Sequence, residues 1–227
     1  LFDPALLTFR YPYQRETTLP AKLTATQLKG RALDQEIAED AYHTPYIRPL
    51  VQPKFRREKK GLTPAERGTA THLVLQYLDL QNLDVPGQVE KLRLEAKLTA
   101  EQAAAVDVPA LRRFLESPLA EEMRQAETAA REYRFTVLMP ARDYDPAAAE
   151  EDSILLQGVV DCWFETPEGI TVVDFKSDRV SRSGAAARGE EYRPQLEAYS
   201  RALEEITGKQ VFRKALWFFE PGELILL

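Results

Sequence analysis

The chain has 227 residues, 44% hydrophobic and 29% charged, which supports a packed core and excludes global disorder. Its single cysteine, Cys162, excludes an internal disulfide and a cysteine-ligated zinc or iron–sulfur site, and fits a reducing, intracellular setting. The formal net charge of −6 runs against a dedicated nucleic-acid-binding module, though not against an enzyme that grips DNA locally.

Positive charge is clustered, in Lys54-Phe55-Arg56-Arg57-Glu58-Lys59-Lys60 and in the stretch holding Arg179, Arg182, Arg188 and Arg193. Each cluster reads equally well as a solvated loop surface. No apolar run approaches the roughly 20 residues that span a bilayer, so no membrane association is expected. Leu1-Phe2-Asp3-Pro4 lacks the basic start of a signal peptide. With no initiator Met, the expectation is a piece of a longer chain.

In chain order, residues 1–23 read as an irregular arm, followed by a helix from Thr24 or Thr26 to about Glu39. Residues 41–61, with Pro45, Pro49 and Pro53, read as loop or short strand. Thr63-Pro64-Ala65-Glu66 is a capping-box sequence, predicting a helix through Gly68, His72 and Tyr77 to about Leu80. Residues 87–127 read as three short helices. Strands are predicted over 131–139, 154–164 and 170–176, with a polar loop at 140–152. Residues 178–189 read as a mobile loop, 194–207 as a helix stopped by Gly208, and 211–219 and 223–227 as strands. A helical first half followed by a strand-rich second half is an α+β arrangement.

The chemistry gathers on the hairpin formed by the second and third strands. Thr166-Pro167-Glu168-Gly169 is a tight-turn sequence. If Glu165 faces Ile170 and pairing continues antiparallel, Asp161 falls opposite Asp174, with Cβ atoms about 4.5–5.5 Å apart. Val159, Val160, Cys162, Trp163, Val172, Val173 and Phe175 surround the two carboxylates, so both strands should be buried. Like charges there need a cation, and carboxylate oxygen suits Mg²⁺ or Mn²⁺. Alternation puts Lys176 on the face of Asp174, where an ammonium can stabilise charge developing on a phosphate. Asp-x-Lys alone is equally an ordinary strand-end ion pair. Alone, His72 would be a structural helix histidine, Glu132 an exposed strand carboxylate, and Tyr192, Gln195 and Tyr199 the packing edge of one helix.

In combination and in this order, these residues resemble the RecB-type branch of the PD-(D/E)xK nucleases. The resemblance rests on Gly68 and His72, Glu132, Gly158-Val159-Val160-Asp161, Asp174-Phe175-Lys176-Ser177, and Tyr192 with Gln195 and Tyr199. Within that branch, Leu23–Lys29, Gly61–His72 and Ala215-Leu216-Trp217-Phe218-Phe219 are similar to the nuclease domains of AddA-type helicase–nuclease subunits. The resemblance implies a restriction-endonuclease-like core, a mixed sheet flanked by helices, with a helical N-terminal portion. It implies a domain over 24–227, helical in 24–127 and sheet-based in 128–227. His72, Asp161, Asp174 and the Phe175 carbonyl would hold Mg²⁺, for which Mn²⁺ can substitute. Asp161, Asp174 and Lys176 would be catalytic, and Glu132, Tyr192, Gln195 and Tyr199 would support the site or touch DNA.

The activity so implied is exonuclease-type hydrolysis of single-stranded DNA in double-strand-break repair by recombination, in the bacterial cytoplasm with an AddB-type partner. ATP would serve only the longer parent, since this sequence has no G-x-x-x-x-G-K-[ST] motif. The competing expectation is a non-catalytic scaffold that binds DNA or the partner protein.

Overall fold

The computed structural model describes residues 11, 13, 16–29 and 61–227. The expected loop or short strand over 41–61 and its basic cluster lie outside the described residues, apart from Gly61, as does the expected helix beyond Lys29. Within them, Lys22–Thr24 is a short strand, β1, and Ala25–Lys29 is a 3₁₀ turn, where the sequence reading placed the start of an α-helix. β1 pairs parallel with residues 155–157, which takes Thr24 into the sheet and away from a helix start.

The helical portion begins at α1, Pro64–Tyr77, whose capping box forms as its sequence specifies. Thr63 Oγ1 accepts from the Glu66 amide, and the Glu66 carboxylate accepts from the Thr63 amide at 2.8 Å. Four helices follow rather than three: α2, Val85–Leu94; α3, Ala100–Ala105; α4, Val108–Leu115; and α5, Pro118–Gln125. Asp84, Thr99, Asp107 and Ser117 each accept a backbone N–H, so every break in the helical pattern starts a new capped helix.

The sheet is mixed. Its strands are β2, Ala129–Pro140; β3, Ser153–Thr166; β4, Gly169–Lys176; β5, Val211–Phe218; and β6, Glu223–Leu226. The order runs β1-β3-β4-β5-β6, with β2 also paired to β3. β3 pairs antiparallel with β2 and β4, whereas β4 pairs parallel with β5. The expected mobile loop at 178–189 holds a 3₁₀ turn, Arg182–Gly184, and a helix, α6, Ala185–Glu190. α7, Arg193–Thr207, follows and ends on Gly208 in the left-handed conformation at φ +69°. Among the described residues, no helix is long and apolar enough to cross a membrane.

Two apolar layers sandwich the sheet. Cys162, Phe164, Val173, Phe175, Ala215 and Trp217 pack with α1–α5. Trp163, Ile170, Val172, Leu216 and Phe218 pack with α7. Phe175 sits edge-on to Phe114, ring centroids 5.2 Å apart, which locks the residue between Asp174 and Lys176 against the α4 side. Strand alternation then turns Asp174 and Lys176 away from that layer.

Helix α1 is tied to the sheet at its C-terminal end. The Arg131 guanidinium of β2 donates to the carbonyls of Leu75 at 2.7 Å and Leu78 at 2.5 Å. These are last-turn carbonyls that helix geometry leaves without an internal partner. Earlier in α1, Gly68 lets the helix pass close to the end of β4, since a Cβ there would stand 2.8 Å from Ser177 Oγ. Arg131→Met keeps the chain's bulk but leaves those carbonyls unsatisfied. It should cost about 1–3 kcal/mol of stability, read as a lower urea midpoint at unchanged slope. An unchanged midpoint would mean that Arg131 does not anchor α1.

Candidate metal centre and active site

The β3–β4 hairpin adopts the register that its turn dictates. Glu165 pairs with Ile170, Phe164 with Thr171, Trp163 with Val172 and Cys162 with Val173. One further pair, Thr166 with Gly169, leaves Pro167-Glu168 as a two-residue loop closed by the Thr166 hydroxyl donating to Gly169 O at 2.9 Å. Gly169 takes φ +141°, a conformation L side chains rarely adopt.

Backbone pairing between β3 and β4 stops at Cys162–Val173, one step before Asp161 and Asp174. Beyond it, β4 continues only beside β5, while β3 continues beside β2 and then β1. The sheet thus forks at the two aspartates. The β2–β3 ladder breaks in the same row. Arg131 pairs with Cys162 and Tyr133 with Val160, but Glu132, between them, takes φ +51° and leaves the ladder. Glu132, Asp161 and Asp174 therefore occupy one row across three strands, with regular pairing interrupted on both sides of the central carboxylate. Left-handed backbone at a non-glycine residue inside a strand is strained, and strain of this kind concentrates at functional sites.

The side chains fill the fork. His72, one turn beyond Gly68, brings Nδ1 to 3.6 Å from Asp161 Oδ1 and 3.9 Å from Glu132 Oε1. Asp161 Oδ2 accepts the Phe175 amide at 2.8 Å, replacing the missing ladder bond. His72, Glu132 and Asp161 each offer a ligand atom, and all three atoms lie within 4.8 Å of one another. Asp174, 1% exposed, stands outside that trio, its Oδ2 2.8 Å from Lys176 Nζ. The trio thus gains Glu132, which the resemblance ranked as supporting. Phe175 contributes an amide contact to Asp161, while its carbonyl is the atom the resemblance assigns to the metal.

The electrostatics follow from the crowding. Burial alone would lower the pKa of His72, but the charge and hydrogen bond of Asp161, with Asp174 behind, raise it to about 9. Burial would push Asp161 up, yet His72, Lys176 and the Phe175 amide hold it below the usual carboxylate range. Lys176 keeps its proton: burial works against the charge, and Asp174, Asp161 and Asp178 outweigh it. In this protein a proton on His72 neutralises part of the carboxylate charge, the role a divalent cation would take. One imidazole nitrogen and two carboxylate oxygens form a donor set suited to such a cation.

Of the other expected residues, Gln195 and Tyr199 are buried on α7. Gln195 Nε2 donates to the Tyr199 hydroxyl at 2.5 Å, and the Tyr199 ring meets Phe135 edge-on, centroids 5.9 Å apart. Tyr192 is fully buried beneath Lys176, whose Nζ lies 4.2 Å from the ring centroid. Asp178, not among the residues expected from the sequence, accepts from the Tyr192 hydroxyl at 2.6 Å and from Arg188 Nε at 2.7 Å. Its signal was present, since Asp174, Lys176 and Asp178 continue one period-two series.

Comparison with known proteins agrees with this geometry. Residues 41–225 match the PD-(D/E)XK nuclease superfamily. The chain is 40% identical over 225 residues to an ATP-dependent helicase/nuclease subunit of Acetivibrio thermocellus. It is 35% identical over 226 residues to the like-named protein of Ruminiclostridium cellulolyticum and 36% over 227 residues to that of Thermoanaerobacter sp. strain X514. Each match covers 96% of this chain but 18% of the relative, so the chain spans less than a fifth of the curated proteins it resembles. With four-fifths of its length inside the superfamily match, and a forked α+β sheet carrying the carboxylate row, the chain belongs to the PD-(D/E)XK nuclease superfamily.

Proposed function

We propose that this chain is the nuclease domain, from about residue 24 onward, of a longer ATP-dependent helicase–nuclease protein, and that it hydrolyses phosphodiester bonds of single-stranded DNA. The observation that carries the reading is the row Glu132–Asp161–Asp174 at the sheet fork, capped by His72 on one side and Lys176 on the other. The relatives are named ATP-dependent helicase/nuclease subunits, which supports a nuclease working beside an ATP-driven motor. The exonuclease-type action, the AddB-type partner, the recombinational repair and the bacterial cytoplasm are proposed on the family resemblance. An intact set of carboxylates, histidine and lysine argues against the non-catalytic scaffold.

His72, Glu132 and Asp161 would hold Mg²⁺ or Mn²⁺, with Asp174 and the Phe175 carbonyl available to complete the shell. Such an ion would supply Lewis-acid polarisation of the scissile phosphate and an acidified water. The remaining roles belong to the chain. Asp161 is fixed by the Phe175 amide, so its free oxygen is aimed at His72. Asp174 orients Lys176, which explains its deep burial. Because Lys176 stays protonated, it acts as a donor to the attacking water or to a phosphate oxygen, and not as the general base. The fork opens on the side of His72 and Glu132, whose side chains are 31% and 29% exposed, so the strand to be cut reaches the site from there.

Lys176→Ala should lower the cleavage rate on labelled single-stranded DNA with Mg²⁺ at least about a hundredfold. Wild-type cleavage by the folded variant would contradict the mechanism. Metal binding is expected to be pH-dependent with a defined sign. A ligating imidazole must be neutral, and His72 holds its proton up to about pH 9 in the metal-free protein. Calorimetric affinity for Mn²⁺ should therefore rise as pH rises toward 9, with proton release near pH 8 that His72→Gln removes. Release undiminished in that variant would show that His72 is not a ligand.

A further inference from the structure

The proposed lysine is held by more than its aspartate. Lys176 Nζ has Asp174 Oδ2 at 2.8 Å on one side and the face of the Tyr192 ring on the other, 4.2 Å from its centroid. Tyr192 packs against Phe218, centroids 6.3 Å apart, and its hydroxyl is held from two directions. It donates to Asp178 Oδ2 at 2.6 Å, and Arg188 Nη2 donates to it at 3.2 Å. Arg188 Nε in turn donates to the same Asp178 oxygen at 2.7 Å, closing a three-membered ring of hydrogen bonds. Glu191 holds the other end of Arg188 at 2.5 Å. The ring joins the segment just after Lys176 to α6 and to the start of α7.

The physical consequence concerns direction. An ammonium has three N–H donors on a flexible four-carbon stem, so Asp174 alone would leave Nζ free to swing about one bond. The negative face of an aromatic ring supplies a second, non-hydrogen-bonding restraint from another quarter. A tyrosine ring can serve as that platform only if it does not tilt, and its hydroxyl is the lever by which tilt is prevented. A hydrogen bond to a carboxylate is stronger than one to a neutral group, and a bridging guanidinium fixes that carboxylate in turn.

We propose that Asp178 and Arg188 are positioning residues. They lock the Tyr192 ring as a platform that, with Asp174, aims the Lys176 ammonium into the fork. The proposal rests on the nuclease reading above for the role of Lys176, while the clasp can be tested without activity. Arg188, which the sequence leaves open between a DNA-gripping patch and a solvated loop surface, commits its guanidinium to Asp178, Tyr192 and Glu191.

The test combines a spectroscopic and a kinetic readout on the 227-residue chain. With lysine labelled at Cε, the Lys176 Cε–H signal should be shifted upfield by the Tyr192 ring current. Asp178→Asn and Arg188→Gln should move that signal toward the position of exposed lysines and lower kcat on single-stranded DNA roughly tenfold, with KM changed little. Tyr192→Phe keeps the ring, removes only the lever, and should give a smaller version of both effects. It carries the test if Asp178→Asn fails to fold. A signal and kcat at wild-type values in a folded Asp178→Asn or Tyr192→Phe protein overturn the clasp and leave the nuclease reading standing. Lost activity with an unmoved Lys176 signal also overturns it, because the effect would then not pass through the lysine. A wild-type chain that cleaves no DNA, with its Lys176 signal shifted as expected, overturns the nuclease reading and, with it, the catalytic half of the proposal.

Discussion

Three carboxylates in one row of a sheet repel one another, and nearly everything distinctive about this fold is arranged around that repulsion. Glu132, Asp161 and Asp174 sit on three adjacent strands where a regular ladder would bring their side chains close. The molecule answers in three ways. It interrupts the ladder on both sides of Asp161 and bends Glu132 into a left-handed conformation. It gives Asp161 a backbone amide and a histidine, and Asp174 a lysine. And it brings His72 against Glu132 and Asp161, where the imidazolium proton offsets their charge and where, once that proton leaves, one nitrogen and two carboxylate oxygens converge as a divalent ion requires.

The two helical layers divide the work. On one face α1 delivers His72. Its approach depends on Gly68 near Ser177 at one end and on Arg131 gripping the last carbonyls at the other. Arg131 and Glu132 are neighbours, so the residue that anchors the helix adjoins the residue that strains to meet the helix's histidine. On the opposite face α6 and α7 secure Lys176 through Arg188 and Tyr192. Phe175 lies between, pinned in the aromatic cluster of Phe114, Trp217 and Phe219, so Asp174 and Lys176 project from a fixed backbone.

Legibility in the sequence followed the range of the interaction. The hairpin register could be read as far as Cys162–Val173 because a turn sequence and period-two alternation determine it locally. The α1 capping box is likewise local. The fork that ends the pairing one step short of Asp161 and Asp174, where continued pairing was expected, has no local signal. His72 needed the resemblance, since nothing within its own helix points toward a strand some ninety residues away. The left-handed turn at Glu132 had no sequence signal, because strain is imposed by the surrounding site and glutamate has no preference for it. Strand β1 was hidden because three residues of Lys22-Leu23-Thr24 carry almost no pattern until β3 offers an edge. The segment at 178–189 looked mobile from its Ser, Gly and Ala content, yet Arg188 and Asp178 hold it through a side-chain ring that composition does not reveal.

If the fork between β3 and β4 is a divalent-metal site built on His72, Glu132 and Asp161, crystals grown with Mn²⁺ should reveal it by anomalous diffraction. The expected result is a peak in the fork, within about 2.0–2.6 Å of an Asp161 oxygen and a His72 nitrogen, with Glu132 or Asp174 oxygen beside it. A fork without anomalous density at saturating Mn²⁺, with His72 still paired to Asp161, would contradict it.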